Sequence, residues 1–217
     1  MANLNDLRAR RRRQTTADIH DAALRLAREV GFDNVTIEQI SAEAGVSQRT
    51  FFNYFPTKES AVVFAPLEIP DELAAEFISR GKARESVVLT DLISLIADAL
   101  GQQGPSRRDF QDIEFVAHQH PSVLAAMLST FEAFSTAVAE VVAQRLDKSA
   151  DDEVPQLIAG LALATVRAGM ERWTQDQAAD PDTPVPCIKQ SARLLRRFFG
   201  SGDAAAVPSE PRRAGRK

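Results

Sequence analysis

The chain has 217 residues, 44% hydrophobic and 26% charged, with a net charge of -4. This excludes a disordered chain and suits one domain or a small module beside a larger one; without overall basic character, an anionic partner must meet a local patch. The single Cys187 excludes an intramolecular disulfide, no apolar run approaches the ~18 residues of a membrane span, and a soluble, cytoplasmic protein is expected.

Charge divides unevenly. Residues 1–60 hold nine Lys/Arg against eight Asp/Glu, and the remainder 17 against 22. Near the start stands "RARRRR" (8–13), either a solvated tail or a DNA-following arm, and residues 1–14 read as a basic disordered arm. Next, "TTADIHDAALRLAREVGF" spaces Ile19, Ala22, Ala23, Leu26, Ala27 and Val30 on one helical face and stops at Gly31. "TIEQISAEAG" starts with Thr36 and Gln39 at capping-box spacing and ends at Gly45, predicting a helix of about two turns.

In "GVSQRTFFNYFPTKE" (45–59), Ser47 is positioned to cap a third short helix and Pro56 to end it. At about 100° per residue, Phe51 and Phe55 share one face, while Arg49, Thr50, Asn53 and Tyr54 form another; Phe52 lies at the edge of the first. Two short helices around a Gly-containing turn, the second projecting Gln, Arg, Thr, Asn and Tyr and no acid, match a helix-turn-helix whose second helix enters the DNA major groove. Arg forks onto guanine, Gln or Asn onto adenine, Thr meets a thymine methyl and Tyr reaches phosphate.

Residues 15–60, with "GFDNVTIEQISAEAGVS", the aromatic-rich short helix and "YFPTKE", resemble the DNA-binding domain of TetR-family transcriptional regulators. The resemblance implies that Gln48, Arg49, Thr50, Phe52, Asn53 and Tyr54 approach bases or phosphates, and that Thr36 and Lys58 hold the DNA backbone. Phe52 stands where that family often has Tyr, which removes a phosphate-binding hydroxyl.

Periodicity predicts further helices over 86–101, 106–118, 121–146, 152–176 and 184–200, without strand alternation, so the fold class is all-α: a three-helix helix-turn-helix domain (15–60) and a larger helical domain (61–200), followed by a disordered tail (201–217). The last two helices carry small residues (Ala159, Gly160, Ala162, Ala164, Ala168, Gly169) and bulky ones (Leu194, Leu195, Phe198, Phe199). By position they resemble the family's dimer-forming pair, and a homodimer is expected.

Catalysis and metal binding find no support. His118 and His120 lack further ligands at suitable spacing, Ser135 and Ser191 lack a base, and neither a cofactor nor a metal is expected. The resemblance implies a small-molecule effector among the middle helices, where Phe110, Phe115, His118, Met127, Phe131, Phe134, Arg167, Met170 and Trp173 are candidate lining residues. Arg167 and Glu171, four apart, either pair on the surface or turn one charge into a cavity. The expected function is a dimeric, ligand-responsive regulator, most often a repressor in that family, bound to a near-palindromic double-stranded DNA operator. The alternative is a helical interaction protein whose helix-turn-helix is only scaffold.

Overall fold

A computed structural model describes residues 4–63 and 69–200. Among the described residues there are ten α-helices, one 3-10 turn and no strand.

Helix α1 (Leu4–Val30) runs unbroken through the arginine stretch. This differs from the disordered arm expected over 1–14: Arg, Ala, Leu and Gln are good helix formers and neither Gly nor Pro interrupts them. Gly31 takes φ +81 and ends the helix. A 3-10 turn (Phe32–Asn34) follows, then α2 (Ile37–Glu43), capped reciprocally by Thr36 and Gln39. Gly45, at φ +66, turns the chain into α3 (Gln48–Tyr54), where the Ser47 side chain accepts from the Thr50 amide. A second capping box, Thr57 with Ser60, starts α4 (Lys58–Val62).

The larger part comprises α5 (Asp71–Ser79), α6 (Glu85–Gln103), α7 (Arg107–Gln119), α8 (Pro121–Leu146), α9 (Glu153–Gln175) and α10 (Val185–Gly200). Only α5 lacks a sequence counterpart. Its N-cap is Pro70, with no side-chain cap to announce it. By length and apolarity α8 does reach the requirement for a membrane span (mean hydropathy 1.4), contrary to expectation; its second half packs into the core through Val138, Ala139 and Val142, all fully buried. The Phe199 side chain and residues 201–217, read as tail, lie outside the described residues.

Apolar burial falls into two clusters. The larger joins α5, α6, α8, α9 and α10 around Trp173, whose Nε1 donates to the Asp180 carbonyl at 2.7 Å. Gly169 sets how closely α9 and α10 approach, because a Cβ there would lie 2.5 Å from Ile188 Cα. Arg145, buried on α8, ties this region together by donating to the Gly81 carbonyl (3.0 Å) and Asp91 (2.8 Å). The smaller cluster holds Ile19, Ile40, Phe51 and Val62 from α1–α4, and is completed by Ile113 of α7 and Val123 of α8. The boundary expected at residue 60 is therefore not a boundary of packing.

Candidate nucleic-acid interface

Side-chain direction on α3 follows from burial. Phe51 (0% exposed) and Phe55 (3%) anchor it, their centroids 6.1 Å apart. Gln48, Arg49, Phe52 and Asn53 face outward, while Thr50 and Tyr54 are half-buried. Phe52 is 53% exposed and touches Phe51 edge-on at 5.5 Å, so its ring lies open on the surface beside Arg49 and Asn53. The Thr50 hydroxyl shares a 2.8 Å hydrogen bond with Ser47, which leaves its methyl as the freer feature.

Two flanking residues are engaged within the protein itself. Thr36 is exposed, but its hydroxyl serves the capping box, accepting from the Gln39 amide at 3.2 Å. Lys58 points inward: Nζ donates to the Phe32 carbonyl (3.1 Å) and the Val35 carbonyl (2.9 Å), 4.5 Å from the Phe32 ring centroid. Both carbonyls lie at the tight turn after α1; that of Phe32 also accepts from the Val35 amide at 3.1 Å, so the ammonium adds a second donor there. A further contact had no sequence signal: Arg12 lies over the Tyr54 ring, 5.8 Å from its centroid, joining the arginine stretch to the end of α3.

This unit is coupled to the rest by charge as well as packing. Arg28 of α1 meets Asp109 (2.9 Å) and Asp112 (3.0 Å) of α7, and His120 faces Asp33 at 3.3 Å while its ring tilts against Phe32 at 5.0 Å. Asp112 Oδ2 is buried and faces Arg28 without hydrogen-bond alignment. A cleft of about 270 Å³ lies beside these contacts, between the end of α1 and α7, with Phe115 on its rim.

The nine residues expected to line an effector cavity lie in different surroundings, with Phe115 on the rim of the cleft between α1 and α7. Phe134, Met170 and Trp173 are buried in the larger core, with Phe110 packed against it, because apolar side chains on core-facing helices fill space rather than leave it. Met127 packs on the smaller cluster. Phe115 and Phe131 are 67% and 47% exposed. Arg167 and Glu171 pair with each other at 2.9 Å on the surface. His118, exposed, donates Nδ1–H to the Glu114 carbonyl at 2.7 Å. Burial pushes the half-buried Glu114 carboxyl above its ordinary range, with the His118 charge opposing most.

A family model described as bacterial regulatory proteins, tetR family, matches residues 19–61, and one described as the MftR C-terminal domain matches residues 115–199. The mycofactocin biosynthesis transcriptional regulator MftR of Mycobacterium tuberculosis is 27% identical, over 80% of this chain and 87% of that protein. The HTH-type transcriptional regulator TcmR of Streptomyces glaucescens is 26% identical, over 77% and 76%. Among solved structures, FadR of Thermus thermophilus, a transcriptional repressor in complex with lauroyl-CoA, shares the fold at TM-score 0.50 and 22% identity, over 89% of this chain and 98% of that one.

Proposed function

Because the chain belongs to the TetR family of bacterial regulatory proteins and is a DNA-binding transcriptional regulator, we propose that it represses transcription as a cytoplasmic dimer, α3 of each subunit reading one half of a near-palindromic operator, with a small-molecule effector altering its affinity. The observation that carries this reading is the outward face of α3. Gln48, Arg49, Phe52 and Asn53 stand exposed together without an acid, on a helix fixed from behind by Phe51. Arg49 and Asn53 supply the forked donors and acceptors that distinguish base pairs, Gln48 and Thr50 add to them, and Phe52 offers an apolar surface to a thymine methyl. Tyr54 meets phosphate beneath Arg12. Thr36, at the start of α2, meets the backbone through its edge, and Lys58 holds the turn that aligns it.

The proposed division is an arginine-rich extension over 1–14, a DNA-reading unit over 15–60, an effector and dimer unit over 61–200 and a tail over 201–217. The dimer seam lies on α9 and α10. Leu157, Leu194 and Phe198 are 58%, 41% and 77% exposed there, and nothing lies within 4 Å of a Cβ at Gly160. A mid-helix glycine with open space before it costs helix stability without serving its own subunit, and suits close approach of a partner helix. The protein works by binding, with no catalytic group assigned.

Selection of bound duplexes from a random pool, followed by mobility-shift titration, tests the proposal. The expected product is an inverted repeat with half-sites about one helical turn apart or slightly more. An unstructured, sequence-indifferent pool would overturn it.

A further inference from the structure

A groove of about 220 Å³ runs between α6 and α10, away from the DNA-reading unit. Ile93 and Ala97 of α6 form its apolar wall, and Lys189, Arg193 and Arg196 of α10 line it at i, i+4 and i+7. All three cations are exposed, no acid lines the groove, and none of the three has an ion pair or hydrogen bond among the described residues. Composition does not explain this, because residues 61–217 hold 17 Lys/Arg against 22 Asp/Glu.

Like charges four apart on a helix repel, and an anion in the groove relieves that repulsion. The hydroxyls of the opposite wall do not compete as donors: Thr90 donates to the Ser86 carbonyl (2.9 Å) and Ser94 to the Thr90 carbonyl (3.0 Å). Recognition falls to two guanidinium forks and an ammonium, the groups best matched to phosphate oxygens. The volume is below the roughly 300–1,000 Å³ of a drug-sized pocket, so a head group fits rather than a whole large ligand. At about 100° per residue, Leu194 and Phe198 lie roughly 130° to 175° around α10 from the cations, so a partner on those residues leaves the groove open.

We propose that the α6–α10 groove binds a small molecule carrying two or more linked phosphates, the phosphates on Lys189, Arg193 and Arg196 and the remainder along Ile93 and Ala97. This site is independent of the operator reading. Calorimetric titration of the full chain with pyrophosphate and with ADP, in magnesium-free buffer at constant ionic strength, tests it. The expected result is saturable binding of one anion per chain, weakened about tenfold or more by Arg193→Gln/Arg196→Gln, weakened less by Lys189→Gln, and unchanged by Arg11→Gln/Arg13→Gln. Tighter binding of ADP than of pyrophosphate supports the share given to the apolar wall, and equal or weaker binding of ADP overturns that share. No saturable binding, undiminished affinity in Arg193→Gln/Arg196→Gln, or equal loss in both double variants overturns it, the last by showing diffuse attraction to cations in general.

Discussion

Lys58→Ala separates two roles that the sequence alone would merge. A lysine at the start of α4 in the "YFPTKE" segment reads as a phosphate contact, and losing such a surface contact would leave the free protein's stability within about 0.5 kcal/mol. The structure instead gives Lys58 two carbonyl acceptors, on Phe32 and Val35, and the Phe32 ring. Charge-assisted hydrogen bonds contribute about 1.5–3 kcal/mol each when sheltered, and a partly exposed cation–π contact about 0.5–1 kcal/mol. Lys58 is half-buried, so the low end applies, and the sum is about 3–4 kcal/mol before relaxation and about 2–3 after water reaches the freed carbonyls. Lys58→Met keeps most of the stem packing and should recover less than half of the loss. The single Trp173 sits in the other core, so its fluorescence reports the wrong region. Urea unfolding followed by far-UV circular dichroism at fixed protein concentration, with hydrogen exchange at α2 and α3, reads the right one. An unchanged unfolding midpoint, together with a salt slope of DNA binding lower by about one contact per half-site, would show that Lys58 faces phosphate and that its inward bonds contribute little.

Arg49→Ala should cost roughly 1–3 kcal/mol on the selected operator and little on random duplex; equal losses on both in fluorescence-anisotropy titrations would remove its base-reading role. Phe51→Ala empties a fully buried site and should cost roughly 3–5 kcal/mol in stability, and a loss under 1 kcal/mol by urea titration would refute its anchoring role. Gly160→Leu should leave each subunit folded but drive the dimer toward monomer in sedimentation experiments, whereas a dimer of unchanged affinity would move the seam elsewhere. Burial raises the Glu114 carboxyl above its ordinary value of 4.5, so the folded state holds that proton more tightly than the unfolded one. The resulting stability is present below pH 4.5 and is lost as pH rises through the raised value. Glu114→Gln should flatten that fall, and melting curves from pH 4 to 7 that keep the wild-type slope would count against it.

Helix limits were legible wherever the backbone demanded a particular residue. Gly31 and Gly45 sit at positive φ, Pro121 opens α8, and Thr36 and Ser47 cap as their spacing implied. The inner and outer faces of α3 followed from the 100° step. What sequence could not supply was partnership across distance. Lys58 finds carbonyls 23 and 26 residues away, and Arg12 finds Tyr54, through geometry that no local pattern encodes. Aromatic content likewise marks apolar helix faces, but whether Trp173 or Phe134 meets a void or another side chain depends on how five helices pack. The cationic row on α10 becomes a groove only through its placement opposite Ile93 and Ala97.

The contribution of Ile113 and Val123 to the cluster around Phe51 limits how this protein can be rebuilt. A chimaera that keeps residues 1–63 and replaces everything after them would discard two fully buried side chains and leave their space to water or to ill-fitting substitutes. It would also sever both charge contacts of Arg28. The portable reading head is a discontinuous one, α1–α4 together with α7 and the first turns of α8, so a graft onto a foreign sensor must carry those helices across or redesign the surface that replaces them.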